Sequence, residues 1–254
     1  MRRIFILVPS PHPTGPVKGA YALANALAAE RPVSLVTLKD GPGVGARLDP
    51  RVSQCSLAAV GGGWRARVEA YRQMLRAAGG RPNVASISMC LSADMANCLS
   101  TRDAVTCVSV RGNLVRNYRL DYGLLGVPLA VGHLTALRRA DHIVAITAAM
   151  ATQIAFYART TPAVIGNFID EAALDSYRSS VRHTGALRFV FVGTMSERKQ
   201  PMLVVRAIHE LRLRGIDVVL DMIGSGPLDS VVSVEVSRLG LKGCVTLHGH
   251  LNDP

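Results

Sequence analysis

The stretch FVFVGTMSERKQPMLVVRAI, Phe189–Ile208, decides the fold. Its aromatic and β-branched opening, Phe189–Val192, predicts an apolar strand that ends at Gly193. A short polar loop follows, closing with Arg198 and Lys199. Pro201 then opens a helical pattern, at the position where a helix tolerates proline. Strand, glycine turn, cations and helix N-terminus together suit phosphate, because the helix start carries unpaired N–H groups and partial positive charge. Arg and Lys add full charges that match phosphate oxygens. The next unit repeats the design: strand Val218–Ile223 runs into Gly224-Ser225-Gly226-Pro227 before another helix. Neither loop is a Walker pattern or a complete GxGxxG, so the signal lies in their order and spacing.

Working outward, strands alternate with helical stretches along the whole chain, which predicts an α/β protein with parallel sheets. Strands are expected near Ile4–Val8, Val33–Leu38, Ser86–Met89, Val105–Val110, His142–Ile146 and Ala163–Gly166. Helices are expected near Ala20–Ala29, Trp64–Ala78, Ala93–Leu99, Leu124–Arg138 and Ala148–Ala158. Gly41–Gly63 reads as an irregular glycine-rich segment. Composition turns polar over 171–186, which marks a linker between a first domain (1–170) and a second (187–254).

Several motifs together resemble the family 4 glycosyltransferases. VGTMSERKQP, DMIGSGPL and LHGHLNDP are similar to that family's "VGR-L-S-P-E-K-G", "G-x-G-P" and "F-x-G-x" runs. PSPHPTGPVKGAYALANALA resembles its first glycine loop and helix, LRRADHIVAITAAMATQI its "RAD-x-I-I-x-x-S" strand, and VIGNFIDE its "I-P-N-G-V-D" turn. The resemblance covers nearly the whole chain in order. It implies a GT-B-type fold, with an acceptor-side Rossmann-like domain followed by the first half of a nucleotide-sugar-binding one. It also implies retaining transfer of a hexose from a UDP- or GDP-sugar to a lipid-linked or polysaccharide acceptor, without a metal or other cofactor. The family's E-x7-E glutamate pair has no counterpart before Pro254. Three strands stand where a Rossmann-like unit has about six. A fragment of a longer protein, or a truncated product, is therefore expected; the fragment is favoured because a half sheet exposes an unpaired edge and an apolar face.

By the resemblance, Arg198, Lys199 and Gly193 would bind donor phosphate from the second domain. Gly15 and Gly19, read as part of the loop after the first strand, would do so from the first. Lys199 matches the family's lysine, whereas the family's arginine falls on Thr194, with Arg198 a possible substitute. Many relatives carry a histidine where this chain has Arg111, after the strand Val105–Val110. Arg111 is a weak catalytic candidate. It can bind a phosphate or carboxylate, or hold a loop through carbonyls, but it is no general base because its pKa lies above about 12. Asp94 in SADM is expected to cap the helix that follows. His12 reads as a surface loop histidine, and His248 and His250 alternate on a strand end without a third ligand.

Composition narrows the alternatives. Hydrophobic residues make up 49% of the 254 and charged residues 19%, enough for a sizeable core and against global disorder. No run reaches the roughly 18 apolar residues of a membrane span. Tyr122–Leu137, interrupted by Gly, Pro and His, reads as a buried or interfacial helix. Ile4–Val8 followed by Pro9 is a first buried strand, too short for a signal-peptide core. Five cysteines without a C-x-x-C pair fit a reduced, cytoplasmic protein with no structural zinc.

Charge is lopsided. Residues 1–170 carry 19 Lys/Arg against 9 Asp/Glu, whereas 171–254 carry 10 against 9. Such an excess attracts acidic partners, or it is a scatter of solvated arginines. The helix Trp64–Ala78 concentrates it: Trp64, Arg65, Arg72 and Arg76 combine an apolar strip with a basic edge. That pattern fits contact with an acceptor or an anionic membrane surface, and equally an ordinary amphipathic helix lying on a sheet. A peripheral location on the inner face of the membrane follows from the first alternative. Nucleic acid is not expected as a partner, since no basic–aromatic interleaving occurs. The rival to an enzyme is a non-catalytic membrane-surface scaffold derived from a glycosyltransferase, which Thr194, Arg111 and the lack of the glutamate pair favour.

Overall fold

A computed structural model describes residues 2–12, 14–41, 48–167, 175 and 185–251. The chain divides into two units, Met1–Ser176 and Tyr177–Pro254. Most of the expected linker, 171–186, lies outside the described residues.

The first unit is a seven-stranded, wholly parallel sheet in the order β3-β2-β1-β4-β5-β6-β7. Its strands are β1 (Arg3–Val8), β2 (Val33–Thr37), β3 (Val52–Ser56), β4 (Val84–Ser88), β5 (Val105–Val110), β6 (His142–Ala145) and β7 (Ala163–Val164). The helices are α1 (Gly15–Ala28), α2 (Gly63–Ala77), α3 (Leu91–Cys98), α4 (Leu114–Tyr122), α5 (Gly126–Ala136) and α6 (Ala148–Ala158). Side chains alternate across a strand, so β1 feeds two cores. Ile4, Ile6 and Val8 pack with Val17, Tyr21 and Ala24 of α1. Phe5 and Leu7 pack with Val68, Tyr71 and Leu75 of α2 and with Ala93 and Ala96 of α3. A strand with both faces buried must be apolar throughout, which is why IFILV reads as an unbroken run.

The second unit is a three-stranded parallel sheet, β10-β9-β8, built from β8 (Leu187–Val192), β9 (Val218–Ile223) and β10 (Val245–Gly249). The helices α7 (Pro201–Leu213) and α8 (Asp229–Arg238) connect the strands. Its core joins Val218, Leu220 and Met222 to Val205, Ile208, Val232 and Val236. The α/β class and the parallel sheets are as expected. β8 lies at the sheet edge with Phe189, Val190 and Val192 exposed, as a half sheet with an uncovered apolar face would have it.

Three local features differ from expectation. β3 lies inside the segment read as irregular. Its sequence VSQCS buries only Val52, because an edge strand needs little apolar pattern. α4 is not expected from the sequence and buries only Leu114. It is started by Asn113, whose side chain accepts a hydrogen bond from the Arg116 N–H at 2.9 Å. α1 begins about one turn earlier than read, with Thr14 at its N-cap and a proline in its first turn. Gly15 and Gly19 are consequently helical residues and not members of a loop.

Glu235 of α8 ties the two helices of the second unit together. It is buried, accepts from Arg238 Nε at 2.7 Å, and accepts from Arg206 Nε of α7 at 3.2 Å. The Arg238 hydrogen bonds, with help from Arg206, hold its carboxyl down at about 2. A depressed carboxylate stabilises the fold above its ordinary value of 4.5, and that stabilisation is lost as pH falls through the folded value. Amide exchange in α7 and α8 is therefore expected to accelerate as pH drops from 4.5 towards 2, after correction for intrinsic rates. In Glu235→Gln that dependence should be largely gone.

Candidate functional site

In an open parallel sheet the binding crevice lies at the carboxyl ends of the strands, where strand order reverses. In the first unit that point falls between β1 and β4, beside the N-termini of α1 and α3. Arg111, the residue after β5, reaches towards α1. A Cβ added to Gly19 would lie 3.6 Å from its Nη1, so the guanidinium rests over that glycine. Nη1 also donates to Asn167 Oδ1 at 2.7 Å. Half-burial pushes the Arg111 pKa down from its ordinary value, and the Cys90 side chain opposes that shift. Cys90 starts α3 with φ 78° and ψ 152°, a conformation that L residues rarely adopt. Burial, then the charge of Asp94, pushes its thiol up to about 12, so it is held protonated and is a poor nucleophile.

Behind this edge lies a buried polar network that the sequence reading did not anticipate. Asp94 accepts from Ser88 Oγ at 2.7 Å and stands 3.2 Å from His133 Nε2 of α5. His133 Nδ1 shares a 2.9 Å hydrogen bond with the Tyr118 hydroxyl of α4. Asn97 donates to Ser88 Oγ and to the carbonyls of Ser86 and Cys107. Asp94 is therefore no helix cap: Cys90 holds the cap position, and the carboxylate points into the core. The available signal was His133 itself, the one titratable residue inside an apolar helix.

In the second unit the two glycine loops pack on each other. A Cβ at Gly224 would collide with the Gly193 carbonyl oxygen, and one at Gly226 would lie 2.5 Å from the Met195 oxygen. The N–H groups are spent internally. Gly193 donates to Ile223 O, Met195 to Ser225 O and Gly224 to Gly249 O, while Gly226 donates to Asp229 Oδ1. Gly193 thus contributes space, and its N–H belongs to the sheet ladder. Lys199 uses that space: its Cδ and Cε lie 3.8 and 3.9 Å from where a Gly193 Cβ would be. Arg198 and Lys199 end the single turn Glu197–Lys199, and Gln200, in the left-handed region, redirects the chain into α7. Pro201 brings no N–H, so cations carry more of any anion binding here than the helix start does. His248 on β10 pairs with Asp221 of β9 at 2.7 Å.

Two of the arginines of the basic helix α2 are paired within the unit. Arg72 donates to Asp103 Oδ2 (2.7 Å) and Glu69, and Arg76 donates to Glu69 (2.6 Å) and Asp103. Trp64 packs against the core beneath, while Arg65 is exposed. The geometry is that of an amphipathic helix laid on a sheet.

No protein family and no curated protein matches this sequence. Solved structures do match in fold. A mutant of Staphylococcus aureus TarM, in complex with Fondaparinux, alpha-GlcNAc-glycerol and UDP, superposes with a TM-score of 0.70 at 9% identity, over 99% of this chain and 78% of that one. Sucrose-phosphate synthase from Thermosynechococcus elongatus gives 0.72 at 14% identity, over 99% and 71%. Anabaena HepE, in complex with UDP and glucose, gives 0.70 at 13%, over 99% and 70%. The class defined is thus an α/β protein with the GT-B-type, Rossmann-like fold of these glycosyltransferases.

Proposed function

We propose that this chain is a glycosyltransferase that moves a hexose from a UDP- or GDP-sugar to a lipid-linked or polysaccharide acceptor, with retention of anomeric configuration. The carrying observation is the interlocked pair of glycine loops, which forms a rigid base under Lys199 at the carboxyl end of the second sheet. UDP in the TarM and HepE complexes supports a nucleotide-sugar donor. As the bond from the anomeric carbon to the donor phosphate oxygen breaks, negative charge grows on the diphosphate. Lys199 and Arg198 would offset that charge without a metal. Arg111 would bind an anionic or polar group at the edge of the first unit, as a positioning residue and not a base. The reaction would take place in the cytoplasm. The exposed apolar face of β8 supports the further reading that the donor domain takes additional strands against that edge.

Calorimetric titration of UDP, GDP and UDP-sugars tests the reading. Saturable binding is expected, weakened about 10- to 100-fold in Lys199→Ala, the worth of one charge-assisted contact. Equal affinity in both proteins would remove Lys199 from the donor site. Thr194 in place of the arginine that the resemblance calls for favours a second reading, a non-catalytic scaffold; binding of no nucleotide at all would support it.

A further inference from the structure

α4 and α5 pack against each other as a helical hairpin, although by length and composition Leu114–Arg139 could be one membrane-crossing helix. Gly123 reverses the chain with φ 63°, and Gly126 lies against the Tyr118 carbonyl so closely that no Cβ fits. The base of the hairpin is held: Gln153 of α6 accepts from the Leu114 N–H, and Arg138 donates to the Tyr157 carbonyl. The other end projects. All seven residues Arg119–Leu125 are exposed, with Leu124 at 81% and Leu125 at 80%, and Tyr122, Leu120 and Leu129 are exposed beside them.

We infer that this tip is a membrane anchor that inserts into an anionic lipid surface. Legs of 9 and 11 residues are about 14–17 Å long, too short to cross a hydrocarbon core of about 30 Å, so insertion is shallow. Leu124, Leu125 and Leu129 enter the acyl boundary, and Tyr122 sits at headgroup level with its hydroxyl in water. Arg119 and Arg116, one and two turns behind Gly123 on α4, are exposed where phosphates would lie. Asp121 is the one acidic residue in the hairpin sequence, against Arg116, Arg119, Arg138 and Arg139. A second copy of the chain is the poorer occupant, because tip-to-tip contact would bring the arginines of two copies together. The inference is independent of the transfer reaction, and it moves the membrane contact from α2, whose Arg72 and Arg76 are paired internally, to this hairpin.

Vesicle flotation of the full chain tests it, with phosphatidylcholine alone and with phosphatidylcholine containing phosphatidylglycerol. Binding to the anionic vesicles is expected, falling about tenfold or more in Leu124→Ser/Leu125→Ser. Arg116→Gln and Arg119→Gln should each cost about fivefold, with a weaker dependence on salt. Leu125→Trp, in a Trp64→Phe background, should show a blue-shifted emission only with anionic vesicles. Because both leucines are exposed, the double variant should retain the parent's circular dichroism. Binding to neither vesicle, or binding unchanged in the double variant, overturns the inference. So does self-association without lipid that the double variant abolishes, which would assign the tip to a second copy.

Discussion

Gly224→Ala is expected to disable the second unit. Position 224 has φ 127°, where a Cβ is strained, and the added methyl would collide with the Gly193 carbonyl. Backbone on both sides leaves neither partner free to move, so a local cost of about 3 kcal/mol or more is expected, near the top of the range for single substitutions. Gly215→Ala is the control. Its φ is also positive, at 74°, but nothing lies within 4 Å of the added Cβ, so only the backbone cost of about 1–2 kcal/mol applies. Hydrogen exchange of the β8, β9 and β10 amides separates the two: protection should fall about 100-fold or more in Gly224→Ala and about 5- to 30-fold in Gly215→Ala. Equal losses would mean that loop-on-loop contact does not hold this unit together. UDP affinity should follow protection, since Lys199 rests on the same loop.

Asp94→Ala is expected to be the most destabilising single change in the first unit. The carboxylate and His133 are both almost fully buried, and burial pushes the Asp94 carboxyl up against the opposing pull of His133 and Ser88. Removing one partner leaves the other polar group without compensation, at a cost of about 3–5 kcal/mol. Asp94→Asn keeps one acceptor oxygen and presents an NH2 in place of the other, which either the Ser88 hydroxyl or a His133 ring nitrogen can accept, so it should cost only about 1–2 kcal/mol. The double change Asp94→Leu/His133→Leu should regain part of the loss, because no buried charge is left unpaired, although the Ser88 and Tyr118 hydroxyls each lose a partner. Urea unfolding of these proteins, together with Asp94→Leu and His133→Leu singly, completes the comparison. Additive losses in the single and double variants would show that the two side chains are not coupled.

Much of the architecture was legible from local signals. The run Ile4–Val8 announced a strand buried on both faces, and Pro201 marked where α7 starts. Gly193, Gly224 and Gly226 could be recognised as positions under constraint. What they are constrained by could not: the sequence reading assigned Gly193 to phosphate, whereas its N–H lies in the sheet and its missing side chain makes room for Lys199. β3 and α4 were missed because each buries a single residue, and a pattern read from burial fails where little is buried.

Most of the alternation of strands and helices, the α/β class and the positions of the two glycine loops of the second unit were determined by the sequence alone, because propensity and periodicity act over a few neighbouring residues. Pairings between distant residues were decided only in the tertiary structure. Arg72 lies 31 positions from Asp103, and Arg111 lies 56 from Asn167. His133 becomes the partner of Asp94 only when α5 is laid on α3. The exposed tip at Leu124 and Leu125 belongs to the same class of facts. An apolar run reads alike whether it is buried or presented to a partner, and only the reversal at Gly123 and the close approach at Gly126 put these leucines outside.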